Sequence, residues 1–206
     1  PTKYGDSDLG RATKGAALAL KSRALLYAAS DLFNTPSWAS GYANPELISV
    51  TGNRRDKWEA AAKAAKAVLD LPESGYWIHW EYRPLFNTYN SPEIILTRRN
   101  GASNEFEKAN FPIGFDLGES GNTPSQNLVD AYEMADGTPF DWNNPAHAAD
   151  PYANRDPRLG LSIITNNTWF YNRNVELWAG GRDGSGIPLA SKTGYYLKKY
   201  LSENTD

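Results

Sequence analysis

The 206-residue chain contains no cysteine. That excludes disulfides, thiol nucleophiles and cysteine-ligated metal sites, and it leaves the compartment open, since many bacterial surface proteins also lack cysteine. Histidine is nearly absent. His79 and His147 stand alone in the sequence, too isolated to form a metal site or a nucleophile–base pair. No apolar run approaches the roughly 18 residues that a membrane-crossing helix needs. Nor is there an excess of one charge: 21 basic against 24 acidic residues give a net −3, interspersed along the chain. Nucleic acid and anionic membrane surfaces are therefore not indicated as partners. The chain opens on Pro1 with neither a methionine nor a signal peptide, and it is expected to be a piece of a longer protein.

What the chain does have is helix-forming alanine and a wealth of rings: 7 Trp, 12 Tyr and 7 Phe, with 40% hydrophobic residues overall. This is enough apolar material for a real core within the size of one domain. The stretch Thr13 to Ser30 is the longest apolar segment, rich in the best helix formers, with Thr13 placed to cap the first turn. Its only polar strip is around Lys14, Lys21 and Arg23, so a buried helix is expected, extending to the Asn34-Thr35-Pro36 stop. A second helix is expected from Asp56, with Glu59 completing a capping box, to about Leu71 before Pro72. Trp58, Ala61, Ala62 and Ala65 follow the bulky-then-small spacing of a tetratricopeptide-type helix, and they define its expected buried face.

Beyond Pro72 the texture is aromatic and irregular. Ile94 to Thr97 reads as a short buried strand and 98–122 as a long loop. Thr123-Pro124-Ser125-Gln126 announces a third helix, with Thr123 as cap and Leu128, Val129, Tyr132 and Met134 on its buried side, ending at Asp136-Gly137. A further loop spans 138–159. Leu161 to Thr165 reads as a strand, turned by Asn166-Asn167 back into Trp169-Phe170-Tyr171. The glycine-rich 178–186 segment lacks the context of a phosphate loop and reads as a flexible turn.

Five blocks in this order resemble the SusD/RagB family of surface glycan-binding lipoproteins. They are GRATKGAALALKSRALLYAASDLFN at 10–34, WEAAAKAAKAVLDL at 58–71, TPSQNLVDAYEMADG at 123–137, YANRDPRL at 152–159 and TGYYLKKY at 193–200. The resemblance implies a mainly α fold of tetratricopeptide-like helical hairpins with a loop-rich region carrying short strands. On that pattern 1–97 is the helical scaffold part and 98–206 the loop-rich part of a single domain. It further implies a non-enzymatic protein without cofactor. The helical side would dock on a TonB-dependent, SusC-like outer-membrane transporter, and the loop-rich face would capture oligosaccharide. The membrane would be reached only through a lipid anchor outside this segment.

A sugar needs aromatic faces for its C–H surface and amides, carboxylates or guanidinium groups for its hydroxyls. The loops offer Trp38, Tyr42, Trp77, Trp80, Phe106, Trp169 and Tyr171 as rings, and Arg98, Asn100 and Asn104 as polar partners. Against each ring stands the ordinary reading of core packing. Two other functions remain open at this point: a helical-repeat module that binds protein, and a glycoside hydrolase using Asp130 and Glu133. Carboxylates one helical turn apart on one helix seldom give the ~5–9.5 Å separation across a sugar that hydrolysis requires. Arg155, Asp156 and Arg158 read as an ion-paired structural turn.

Overall fold

The computed structural model describes residues 1–88, 91–98 and 100–203, with Asp6 described in its backbone alone. Among these residues there are six α-helices and four two-residue strands, and the contacts divide the chain into two compact units. One comprises Pro1–His79 and Tyr89–Arg99, the other Trp80–Thr88 and Asn100–Asp206.

The first unit is built on α1 (Lys14–Ala29) and α2 (Arg54–Leu69), which pack on each other. Thr13 caps α1 as its sequence implies, its hydroxyl accepting the Ala16 N–H at 3.1 Å. The helix stops at Ala29, before the proline. Ser30 leaves helical geometry, and its N–H and hydroxyl close on the last carbonyls. α2 begins two residues earlier than expected because Asn53, not Asp56, is its cap, accepting the N–H groups of Arg55 and Asp56 at 2.8 and 3.4 Å. The face it buries is also different. Ala61, Ala64 and Val68 lie inside, whereas Trp58, Ala62 and Ala65 are exposed. α1 is not a buried helix either: only Gly15 and Ala29 are buried, and Ala17, Leu20, Ala24 and Tyr27 form an uncovered row on its far side.

The connection between the helices contains 3-10 turns at Ser37–Gly41 and Pro45–Leu47 and is pinned by the Asn34–Val50 bridge. Lys57 of α2 donates to the Asn34 amide oxygen at 2.7 Å and secures it further. Ile94 to Thr97 is not a strand. The Ser91–Ile94 turn closes at 3.1 Å, and among the described residues no strand pairs with the segment, so β-branching there has no ladder to join.

The second unit holds α3 (Glu105–Asn110), α4 (Gln126–Asp130), α5 (Pro145–Ala149) and α6 (Arg158–Ser162) with β1 (Ile163–Ile164), β2 (Trp169–Phe170), β3 (Arg173–Asn174) and β4 (Tyr196–Leu197). The expected loop at 98–122, of which residue 99 lies outside the described residues, contains α3. It is tied off by buried Asn110, whose side chain donates to the Phe106 carbonyl and accepts from Asn122. The expected third helix is a short one, capped by Ser125 and not Thr123, and it ends near Asp130. The expected β1–β2 pairing does not form. β1 pairs antiparallel with β4, Ile163 opposite Leu197, and β2 turns through Tyr171 into β3. Tyr171 takes a left-handed φ of 58°, as a two-residue hairpin loop requires.

β1 is buried on both sides. Ile164 joins Phe115, Phe170, Val175, Tyr196 and Leu201 in one cluster, while Ile163 joins Val129, Leu159 and Tyr195 in another. The glycine-rich turn is rigidly engaged and not free. Asp183, 1% exposed, receives both ends of the Arg173 guanidinium at 2.7 and 2.9 Å and the N–H groups of Gly114 and Glu176. A Cβ at Gly184 would overlap the Trp178 carbonyl, so only glycine allows the chain to pass there.

Candidate functional site

Tryptophan is usually largely buried. Here all seven are exposed, from 41% at Trp58 to 80% at Trp80. The chain's largest flat side chains therefore stand outside its core, where rings can serve as contact surfaces. Three belong to the first unit and four to the second.

In the first unit Trp38 and Tyr42 come together, edge to face with centroids 6.2 Å apart. The 3-10 turn Ser37–Gly41 sets them at one rim of a groove of about 670 Å³, whose floor and far side include Tyr27, Phe33, Ile48 and Val50, with Glu46 beside it. The volume falls in the roughly 300–1,000 Å³ of ligand sites, and the lining has the required character, mostly apolar with one carboxylate. Trp77 stacks on His79 at 5.5 Å and helps line a second cavity of about 450 Å³ with Tyr4, Tyr76, Arg11 and Thr13. Tyr76 reaches this position by crossing α1 at Gly15, where a Cβ would run into its hydroxyl. Arg98 is exposed at a shallow polar recess with Asp8 and Arg11.

In the second unit Trp80, Asn100 and Asn104 are exposed, and Asn104 precedes α3 without capping it through its side chain. Trp169 projects outward from β2, whereas its neighbour Phe170 is fully buried. Tyr171 is half-buried and packs on Phe111 and Phe115, so its ring belongs to the core's margin. Phe106, 44% exposed, meets Tyr200 edge to face at 6.3 Å. Tyr200 in turn meets Phe86 at 5.2 Å, and Phe86 meets Tyr82 at 5.1 Å. This four-ring ladder was not anticipated. Its members come from positions 82, 86, 106 and 200, and no spacing in the sequence joins them.

Lys199 lies over the ladder, its ammonium 4.1 Å from the Phe86 centroid and 5.4 and 5.5 Å from those of Tyr82 and Tyr200. Burial raises the Tyr82 hydroxyl's pKa. Hydrogen bonds with Ser162 and Lys199 and the charges of Lys199 and Arg158 together outweigh that, leaving it below its ordinary value. Arg83 and Lys198 both pair with Glu203 nearby.

The carboxylates at 130 and 133 are otherwise employed. Asp130 accepts from the Trp142 indole at 3.2 Å and from the Gln126 amide at 2.8 Å, and Glu133 is exposed. Arg155 makes no ion pair among the described residues. Its guanidinium donates to the carbonyls of Pro151, Val129 and Tyr132 at 2.6–2.7 Å and lies 4.1 Å over the Phe140 ring. It thereby closes the C-terminal end of α4, while Asp156 pairs with Arg158.

The family model described as the SusD family matches residues 92–206. Among solved structures, a SusD-like protein from Bacteroides fragilis is similar at 25% identity with a TM-score of 0.67, covering 97% of this chain and 38% of its own. A SusD-like carbohydrate binding protein from the same organism is similar at 23% identity with a TM-score of 0.70, covering 98% of this chain and 36% of its own. The chain thus spans little more than a third of the length of either structure. No curated protein sequence matches it.

Proposed function

Because the chain belongs to the SusD family, we propose that it is part of a cell-surface glycan-binding protein that captures oligosaccharide without cleaving it. It passes the sugar to a TonB-dependent, SusC-like transporter in the outer membrane, to which a lipid anchor keeps it close. The single observation that carries the binding role is the exposure of every tryptophan. Rings held out of the core cost apolar burial, and a ligand with a flat C–H face recovers it. The Trp38–Tyr42 groove and the Phe106–Tyr200 ladder are surfaces where rings are paired and accessible. Trp77, Trp80, Trp169, Arg98, Asn100 and Asn104 are further candidate contacts on the surface.

The intact protein should bind one or more oligosaccharides from a panel of plant, host and microbial glycans, measured by array and then by calorimetry. Silence across the panel would overturn the reading, as would release of reducing sugar that disappears in Asp130→Asn. Transporter association should survive Trp38→Ala with Tyr42→Ala if sugar and transporter use different faces, which co-purification reads directly. Ala17 and Leu20, exposed on α1 and outside the lining of the Trp38–Tyr42 groove, support a helical side that packs on something further.

A further inference from the structure

Resting on the glycan-binding reading, we propose that the ring ladder of the second unit is a subsite for an anionic sugar, a uronate or a sulfated pyranose, with Lys199 as the residue that selects the charge. The first ground is charge placement. The acidic chain keeps four cations around these rings: Arg83, Arg158, Lys198 and Lys199. Three of them have carboxylates. Glu203 serves Arg83 and Lys198, and Asp156 serves Arg158, whereas Lys199 makes no ion pair among the described residues.

The second ground is how that ammonium is held. Rings on several sides position it by cation–π attraction but supply no negative charge, so it keeps its capacity to pair with an anion. A half-buried cation of this sort gains more from a carboxylate or sulfate than an exposed one, because water screens the pair less. The third ground is the neighbouring platform. Tyr200, the residue after Lys199, is 46% exposed, and Phe106, 44% exposed, stands at right angles to it. The ammonium lies over the Tyr200 ring, within reach of an acidic substituent on a sugar packed against the exposed part of this pair. Neutral sugars would find the platform but leave the Lys199 charge without a counter-charge.

The test is calorimetry of the full-length protein with oligogalacturonate and with a sulfated heparin-derived oligosaccharide, against the neutral xylohexaose and maltohexaose. The wild-type protein should bind at least one acidic probe, with affinity falling as salt rises. Lys199→Met keeps the stem over the rings and removes the charge. It should weaken acidic binding about tenfold or more and leave any neutral binding unchanged. Tyr200→Ala should weaken acidic binding as well, while thermal melting shows both variants folded. Comparing the two acidic probes tells carboxylate from sulfate. Binding of neutral probes alone, or acidic binding indifferent to Lys199→Met, would overturn this inference and leave the glycan-binding reading standing; binding of no glycan at all would remove both.

Discussion

Asp183 is the residue on which the second unit's irregular half depends. Its carboxylate collects a bidentate guanidinium and two main-chain N–H groups, and the same Arg173 lies 3.9 Å over Phe115 in the core. Asp183→Asn would leave a largely buried guanidinium without its counter-charge, and a loss of about 3–5 kcal/mol is expected. A chemical denaturation series checks it. The Asp156–Arg158 pair, in which the guanidinium is exposed, is a weaker case, and Asp156→Asn should cost less, about 1 kcal/mol. A third carboxylate gives a pH signature. The hydrogen bond from Arg182 beside Glu176, with the Arg182 N–H, brings Glu176 from 4.5 down to about 2. Since the folded value is the lower one, its contribution is complete above pH 4.5 and is lost as pH falls toward 2. A carboxyl NMR titration should show Glu176 as one of the last side chains to protonate, and Arg182→Met should return it toward its ordinary value. At this scale the sequence was only partly readable. Aromatic abundance in loops was visible, and so was the pool of rings. Which rings meet was not, because Phe106 and Tyr200 are brought together by the fold across a separation of 94 positions.

Elements were legible where local chemistry decides them. Thr13 capping α1 is a contact within four residues, and Thr13→Ala should lower stability by about 1 kcal/mol. Asn53→Ala should cost a similar amount at α2. Thermal melts of the two variants and their double should show near-additive losses, since the caps share no partner. The third helix shows the opposite case. Thr123-Pro124-Ser125-Gln126 contains two hydroxyls that can each cap, and Ser125 prevails because Gln126 is drawn to Asp130 and to the Tyr195 hydroxyl at 2.8 Å. No local rule ranks those alternatives. Strand pairing failed for the same reason: Ile163 and Ile164 find their partners more than 30 positions away, and Tyr196 is fully buried by doing so. The glycine-rich turn deceived because glycine permits freedom and close approach alike, and here close approach applies. Gly184→Ala should destabilise by about 1–3 kcal/mol or more, readable as a lowered melting temperature.

At the scale of the molecule, the mainly helical class with a loop-rich, short-stranded remainder agrees with the solved SusD-like structures. Three of the five blocks that carried the resemblance hold the second unit together: α4, the Arg155 turn and β4. That explains why they could be recognised without locating a binding site, since a scaffold persists while loops that contact ligand vary. The exposed outer faces of α1 and α2 were invisible to helical periodicity, which marks what a face could bury and not whether anything covers it. A face with Leu20 at 69% exposure should bind a hydrophobic dye in the isolated 206-residue segment, and Leu20→Glu should reduce the signal.

Arg155 carries a consequence for how this region can change. It grips Val129, Tyr132 and Pro151 by their carbonyl oxygens, atoms that every amino acid presents alike. The grip therefore places a strict demand on one codon and none on the three it reaches. Lysine offers a single ammonium where a planar fork now serves three acceptors in two directions, so even that exchange should fail. A saturation library spanning 126–159 should show near-total intolerance at 155, while positions 129, 132 and 151 accept whatever their own packing allows.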